Sequence, residues 1–241
     1  MNNNDIKQTI NFLKNKKKIL FLLTSNRWDD EIPKSSQLAF NIKNELKNKD
    51  IEIINVADLN ILPCEGNVSQ IDKGNHCGSK DSVLKDKDKN PSGNHRCWCS
   101  FNNKSDELWK ISKVLLESDC VVFFGSIRWG KMNAIYAKLV ERLTWLENRH
   151  TSLGETNLLE NIDCGIISVG HNWNGKEAIE LEKKVLTFFG FNVVDSICWS
   201  YQWTKDYKDE TLKGYKQDVK DFKKLIIDLF KKVLKFNDFK L

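Results

Sequence analysis

The chain of 241 residues is 40% apolar and 29% charged, a composition typical of one globular domain rather than two full ones. Its formal net charge is only +5, and no nucleic-acid-binding motif accompanies the surplus lysines. No run approaches the ~20 apolar residues that span a bilayer, and the five apolar residues after the lysines at 16–18 are too few for a signal peptide. We therefore expect a cytoplasmic protein with no nucleic-acid or membrane partner.

Five short apolar runs predict strands, and helical repeats separate them. The predicted strands are 18–24, 51–56, 120–124, 164–169 and 193–199. Between them, apolar residues recur every three or four positions in segments that begin at Leu38, Leu108, Ile135 and Leu181; in the last of these Leu181, Val185 and Phe188 recur and Gly190 ends the helix. Strands that alternate with helices predict an α/β fold with a parallel sheet covered on both faces.

The segments outside this pattern are the termini and one long insertion. Apolar spacing predicts a short helix near Ile6 and a long amphipathic C-terminal helix at 205–236. The insertion at 60–104 is polar and shows no period, and a loop of this length is usually functional or disordered. We predict a single domain over 1–241, with its core at about 18–200.

The seven cysteines divide into two sets. Three lie in strand-like runs, where a free cysteine is most often a small buried apolar residue: Cys120, Cys164 and Cys198. Four lie in the insertion, near His76 and His95: Cys64, Cys77, Cys97 and Cys99. Without a secretory signal, this number does not indicate a disulfide framework.

Ligands of an open parallel sheet bind at the carboxyl ends of its strands, so the loops there are informative. After the first strand, "TSNRWDDEIPKSSQLA" supplies hydroxyl and basic groups, namely Thr24, Ser25, Arg27, Lys34, Ser35 and Ser36. Ser35 or Ser36 occupies the predicted N-cap of the next helix, and a helix N-terminus can bind an anion. The alternative interpretation is a capped helix after a long surface loop.

After the third strand, residues 125–131 read G-x-x-x-x-G-K, one residue short of a P-loop. Met132 replaces the hydroxyl that would hold magnesium, and the motif follows the third strand instead of the first. We interpret the loop as a contact for a flat heteroaromatic ring, with the Trp129 indole against its face. The loop comprises Ser126, Ile127, Arg128, Trp129, Gly130, Lys131, Met132 and Asn133.

After the fourth strand comes "GHNWNG" at 170–175, where glycines bracket side chains that can form hydrogen bonds. The candidate residues are Gly170, His171, Asn172, Trp173 and Asn174. A glycine turn with polar filling is the alternative. A phosphate-binding first loop and two ring-contacting loops together describe a site for a mononucleotide flavin.

Over 18–199 the sequence resembles the flavodoxin-like superfamily, and within it the NAD(P)H-dependent FMN reductases and iron-sulfur flavoproteins. The resemblance rests on "ILFLLTSNRWDDEIPKSSQLA" and on "GSIRWGKMNAIYAKLVERL", in which Ile127 replaces the family's usual proline. It implies a flavodoxin-like fold with a five-stranded parallel sheet, FMN as cofactor, NAD(P)H as co-substrate, and a homodimer.

By the same resemblance, the first loop holds the FMN phosphate through Thr24, Ser25, Ser35 and Ser36. The second and third loops, Ser126 to Asn133 and Gly170 to Asn174, surround the ribityl chain and the isoalloxazine. The implied activity is electron transfer from NAD(P)H to a small acceptor such as a quinone, a nitroaromatic or free flavin.

Two other functions compete with this hypothesis. A flavodoxin-like electron carrier is one, although a net charge of +5 differs from the acidic face that such carriers generally show. A metal-binding protein on the same scaffold is the other. The four insertion cysteines depart from compact iron-sulfur spacing, and with the two histidines they would suffice for zinc, so an iron-sulfur cluster or zinc there is left open beside free thiols in a mobile loop over the flavin.

Overall fold

A five-stranded parallel sheet forms the centre of the computed structural model, which describes residues 3–27, 32–67, 76–202, 204, 220–228 and 230. The strands lie in the order β2-β1-β3-β6-β7, which confirms the predicted five-stranded sheet. A separate two-stranded hairpin, β4-β5, follows β3. Their bounds are β1 Lys18–Leu23, β2 Asp50–Asn55, β3 Cys120–Gly125, β4 Ile127–Arg128, β5 Lys131–Met132, β6 Asp163–Gly170 and β7 Asn192–Gln202.

Helices cover both faces of this sheet, as the alternating pattern predicts. One apolar core lies between the sheet and α4, α5 and α6, and the other lies between the sheet, α1, α2 and the helical residues 220–228. The remainder of the predicted C-terminal helix at 205–236, apart from residue 230, lies outside the described residues. The helices are α1 Asn3–Leu13, α2 Lys34–Glu45, α3 Trp98–Asn102, α4 Leu108–Leu115, α5 Ala134–Thr151 and α6 Gly175–Phe188.

Burial explains why the strands can be predicted from apolar runs in the sequence. Every residue of the central strand β3 is buried, as are all those of β6, and a strand buried on both faces is a continuous apolar run. The edge strands β2 and β7 keep exposed or half-buried positions.

In the part of the chain that the structure describes, no helix has the length and apolar character needed to cross a bilayer.

The helix α6 is present, but its buried face differs from the one that the apolar repeat suggests. Leu181 and Phe188 are 59% and 66% exposed, whereas Ala178, Ile179 and Leu186 are buried against the sheet. Two adjacent apolar stripes satisfy the same helical period, and the sequence alone does not distinguish which one meets the sheet.

The described part of the insertion, 60–67 and 76–104, packs against α5 around one buried ion pair. The Arg142 guanidinium bonds both oxygens of Asp106, at 2.7 and 2.9 Å, and both side chains have no solvent exposure. Arg142 also donates to the Leu62 carbonyl at 2.6 Å and to the Ser100 hydroxyl at 3.1 Å. This packing buries Cys77, Cys97 and Cys99, so the picture of thiols in a mobile loop is wrong for these three.

The ion pair also sets the charge of its carboxylate. Burial alone would raise the pKa of Asp106, but hydrogen bonds from Arg142 and Ser100, together with the arginine charge, hold it below its ordinary value. Both groups are therefore charged in the folded protein, and each depends on the other for compensation.

We expect Arg142→Met to lower the free energy of unfolding by ~3–5 kcal/mol, because it leaves the Asp106 carboxylate buried without its counter-ion. Lys18→Met is the matched control, since it removes a 2.5 Å pair with Glu117 that is exposed to solvent and contributes ~0–1 kcal/mol. Urea denaturation followed by circular dichroism measures both. Equal losses in the two variants would contradict the role given to Arg142.

Candidate functional site

A cleft of about 500 Å³, open to solvent on one side, lies at the carboxyl edge of the sheet. The direction of winding reverses between β1 and β3, which is where ligands bind in open α/β sheets. The cleft is lined by Ser25, Asn26, Arg27, Pro33, Lys34, Ser35, Ser126, Arg128, Val169, Gly170 and His171. The structure thus brings residues from all three predicted loops together.

The helix that borders the cleft begins two or three residues earlier than predicted. Pro33 is the N-cap of α2, so the assignment of Ser35 or Ser36 to that position is wrong. Proline suits the start of a helix, because its fixed φ is compatible and its missing N–H is not needed there. No side chain of the cap bonds the amides of the first turn, so this N-terminus keeps its capacity to bind an anion.

Three serine hydroxyls form a chain along the floor of the cleft. Ser35 Oγ donates to Ser25 Oγ at 3.1 Å, and Ser25 Oγ donates to Ser126 Oγ at 3.1 Å. The chain joins α2 to the ends of β1 and β3. The other two predicted phosphate ligands are buried but do not line the cleft: the Thr24 hydroxyl donates to the Phe124 carbonyl at 3.1 Å, and Ser36 lies in the first turn of α2.

The described lining is basic. Arg27, Lys34 and Arg128 all border the cleft, and no carboxylate lines it within the described residues. Residues 28–31, which include three carboxylates, fall outside that part of the chain. A concave surface with clustered positive charge favours an anionic ligand.

The motif at 125–131 folds as a hairpin and not as a phosphate cradle. Ile127 pairs with Met132 and both are buried, while Trp129 and Gly130 form the turn with φ of 51° and 76°. Positive φ at both central positions is the mark of a type I′ hairpin turn. The next helix, α5, starts only at Ala134.

Trp129 is held in this unusual conformation by the neighbouring loop. Its backbone N–H donates to Asn172 Oδ1 at 2.7 Å, and Asn174 Nδ2 donates to the Gly130 carbonyl at 2.7 Å. The indole is 75% exposed. Its centroid lies 6.0 Å from that of Trp173, at an interplanar angle of 72°. Two indoles thus stand on adjacent loops next to the cleft.

Asn133 holds the base of the site together. Its Oδ1 accepts the Tyr136 N–H at 3.1 Å and caps α5. Its Nδ2 lies 3.3 Å from the Ser126 carbonyl and 3.4 Å from the Thr24 hydroxyl. Gly125 is required beside it, because a Cβ there would lie 2.9 Å from the Thr24 hydroxyl and 2.5 Å from Met132 Cε. Lys131, the remaining residue of the hairpin, is exposed.

Sequence reasoning missed the contribution of the fifth strand. Gln202 ends β7, accepts the Gly175 N–H and donates to the Asn172 carbonyl. Thr204 Oγ1 lies 3.2 Å from His171 Nδ1. These contacts position the loop at 170–175. The sequence does indicate this contribution, because ligands bind at the carboxyl ends of the strands and Gln202 lies at the carboxyl end of the last strand.

The insertion cysteines are separate from this site. None of Cys64, Cys77, Cys97 and Cys99 lines the cleft. Across the described residues, no three His, Cys, Asp or Glu side chains are placed to hold a metal ion.

Comparisons with known proteins bear on the fold. Among solved structures, RosB with bound 8-demethyl-8-formylriboflavin-5′-phosphate superposes with a TM-score of 0.57 at 14% identity, over 89% of this chain and 76% of that one. When the five strands of the sheet in this chain are numbered along the sequence, their order is 2-1-3-4-5. That order is the flavodoxin-like arrangement. The chain has a flavodoxin-like fold.

Other flavodoxin-like matches are weaker. Azoreductase AzrA matches at a TM-score of 0.49 and 16% identity, over 90% of this chain and 97% of its own, and FerB, an NAD(P)H:(acceptor) oxidoreductase from Paracoccus denitrificans, at 0.44 and 11%, over 91% and 98%. No family model matches the sequence, and no curated protein does. At these identities the likeness extends to the fold alone.

Asn133→Ala should lower the free energy of unfolding by ~0.5–2 kcal/mol, because it removes the cap of α5. Asn133→Ser is the matched control, since a serine hydroxyl can still cap the helix while the Nδ2 contacts to Thr24 and Ser126 are lost. We expect the serine variant to retain more stability in urea denaturation. An alanine variant as stable as the parent would contradict the capping role.

Proposed function

We propose that this cleft binds FMN and that the protein is an NAD(P)H-dependent oxidoreductase that passes electrons to a small acceptor such as a quinone, a nitroaromatic or free flavin. One observation carries the proposal. A hydroxyl chain beside a helix N-terminus lines the cleft, and a pair of indoles lies on the two loops whose Arg128 and His171 also line it, at the edge where a flavodoxin-like sheet reverses its winding. The structural relative RosB is itself solved with a riboflavin phosphate derivative.

The serine end of the cleft fits a phosphate. Ser25, Ser35 and Ser126 present hydroxyls that can donate to its oxygens, and the start of α2 adds backbone N–H donors. Arg27 and Lys34 place positive charge at the same end. Hydrogen bonds to a charged group are stronger than those between neutral groups, so this end supplies much of the affinity.

The hairpin end of the cleft fits a planar ring. Trp129 and Trp173 offer apolar faces of the size of an isoalloxazine component. Gly170 and His171, from the same loop as Trp173, line the cleft. Neighbouring loops thus contribute charged groups and aromatic groups, as the two ends of FMN require.

This geometry assigns different tasks to the cofactor and to the side chains of the protein. When bound, FMN would supply the redox chemistry by accepting a hydride from a nicotinamide and passing electrons on. The tasks left to the side chains are to bind the phosphate, to orient the ring and to exclude water from one of its faces.

The homodimer, the cytoplasmic location and the lack of membrane and nucleic-acid partners stay predictions from the sequence.

Ser35→Ala separates phosphate binding from ring binding. It should weaken FMN affinity by roughly tenfold, because it removes one hydrogen bond to a charged group, and leave the affinity for riboflavin unchanged. Fluorescence titration with both flavins measures the two affinities. Ser118→Ala is the control, since that hydroxyl donates to Val114 at the end of α4. Equal weakening for FMN and riboflavin would count against a phosphate at Ser35, and no binding of either by the parent would overturn the proposal.

Anaerobic mixing with NADPH or NADH tests the enzymatic function. Flavin-loaded protein should lose its oxidised-flavin absorbance within the dead time of hand mixing and regain it when a quinone is added. A flavin-loaded protein that neither nucleotide reduces would exclude the reductase and favour the electron carrier.

Trp129→Ala should weaken the affinity for FMN and for riboflavin alike by roughly 3- to 10-fold, because ring contacts do not involve the phosphate. Trp109→Ala is the matched control: its half-buried indole lies on α4, near Lys89 and Lys110. Unchanged flavin affinity and unchanged turnover in the Trp129 variant would contradict the placement of the ring.

A further inference from the structure

Two segments of the insertion cross in a fixed register. The Gly78 N–H donates to the Arg96 carbonyl at 2.8 Å, and Trp98 Nε1 donates to the His76 carbonyl at 3.0 Å. This register places Cys77 opposite Cys97, and each thiol is near enough to shift the pKa of the other. Residues directly opposed in antiparallel segments have Cα atoms ~4.5–5.5 Å apart, a separation that a disulfide spans without strain.

A buried cation adjoins one of these two sulfurs. Arg142 Nη2 donates to Cys97 Sγ at 3.3 Å, and Asp106 holds the guanidinium in place. The hydrogen bond from Cys77 lowers the pKa of Cys97 against the effect of burial, and the arginine charge adds to it. The same hydrogen bond and burial raise the pKa of Cys77. Cys97 is therefore the thiol of the pair that ionises more readily.

Four other cysteines, of which three are buried and Cys198 is half-buried, lack this environment. Burial raises the pKa of Cys198 to about 11 and that of Cys99 to about 12, and it raises those of Cys120 and Cys164 as well. Thiols in apolar surroundings with raised pKa values are unreactive. The chain thus contains one polarised thiol pair and several internal controls.

We propose that Cys77 and Cys97 are a redox-active pair that hydrogen peroxide oxidises to a disulfide. The Cys97 thiolate attacks one peroxide oxygen and the O–O bond breaks, which gives a sulfenic acid on Cys97 and a hydroxide that takes a proton to become water. The Cys77 sulfur then attacks the Cys97 sulfur, the S–O bond breaks, and a second water leaves with the Cys77 proton. The two thiols lose two electrons and the peroxide gains them.

Peroxide is the oxidant that suits the geometry. Cys77 and Cys97 are only 5% and 3% exposed, so a small neutral oxidant has access that a bulky disulfide lacks. The pair lies outside the cleft, and its reactivity does not depend on whether the cleft binds FMN. Oxidation would tie the two crossing segments together and remove the charged sulfur from Arg142.

Alkylation and peptide mapping of the full-length chain test the proposal. Hydrogen peroxide should remove two of the seven thiols that N-ethylmaleimide labels after denaturation, and dithiothreitol should restore them. Trypsin cuts after Lys73, Lys80, Arg96 and Lys104, so the disulfide joins peptides 74–80 and 97–104. Seven labelled thiols after peroxide treatment would overturn the proposal.

Variants identify the sulfurs and their order of reaction. Because Cys99 shares a tryptic peptide with Cys97, Cys99→Ser should keep the linked peptides and Cys97→Ser should abolish them. Cys77→Ser should stop the reaction at a Cys97 sulfenic acid that dimedone labels. Linked peptides that persist in Cys97→Ser, or that disappear in Cys99→Ser, would overturn the assignment, and the mapping of the parent chain decides the proposal without any variant.

Discussion

The ion pair between Arg142 and Asp106 is the constraint on which the insertion depends. A buried guanidinium destabilises a protein unless its charge is compensated and its donors have partners. Here both Nη atoms have partners, namely the Asp106 carboxylate, the Leu62 carbonyl, the Ser100 hydroxyl and the Cys97 sulfur, whereas Nε has none among the described residues. Leu62 comes from the first described part of the insertion, and Ser100 and Cys97 come from the second. Asp106 compensates the charge, but neither part can leave α5 without removing hydrogen-bond partners from the buried Arg142. A segment with no periodicity of its own is therefore held in one conformation.

The same helix also serves the cleft. Asn133 caps α5 and bonds the ends of β1 and β3, Arg142 lies nine residues later, and Asn148 donates to the Cys77 carbonyl. At 1.5 Å per residue, Asn133 and Arg142 are separated by roughly 13 Å along the helix axis. The helix therefore fixes the positions of the cleft and the cysteine pair without joining their chemistry. Coupling between them would require α5 to adopt two arrangements, and a helix anchored at its start, middle and end resists that.

The sequence predictions are accurate where a structure depends on local interactions, and they fail where it depends on contacts between residues distant in the sequence. Buried parallel strands can be predicted from local sequence, because β3 and β6 are buried throughout and consist mostly of apolar residues. Their order places three loops at one edge. Contacts between distant residues leave no such signal. Nothing near Cys97 in the sequence indicates that Arg142 will adjoin it, and the apolar repeat of α6 does not show that Ala178 rather than Leu181 meets the sheet. Serine is the stronger N-cap by statistics, and this favours Ser35 or Ser36 in the sequence. In the structure the helix already begins after Pro33, which is compatible with a helix start.

The hairpin at 127–132 shows how one residue changes the structure of a sequence motif. Met132 is apolar, pairs with Ile127 and is buried, so the chain closes a hairpin where a hydroxyl would have faced a metal-bound phosphate. That closure forces Trp129 into the left-handed region, which costs a residue other than glycine ~1–2 kcal/mol. Burial does not repay this cost, because the indole is 75% exposed. Asn172 and Asn174 hold the turn from the neighbouring loop. Strain maintained by a second loop, on a side chain that the core does not use, supports the proposal that Trp129 contacts a ligand.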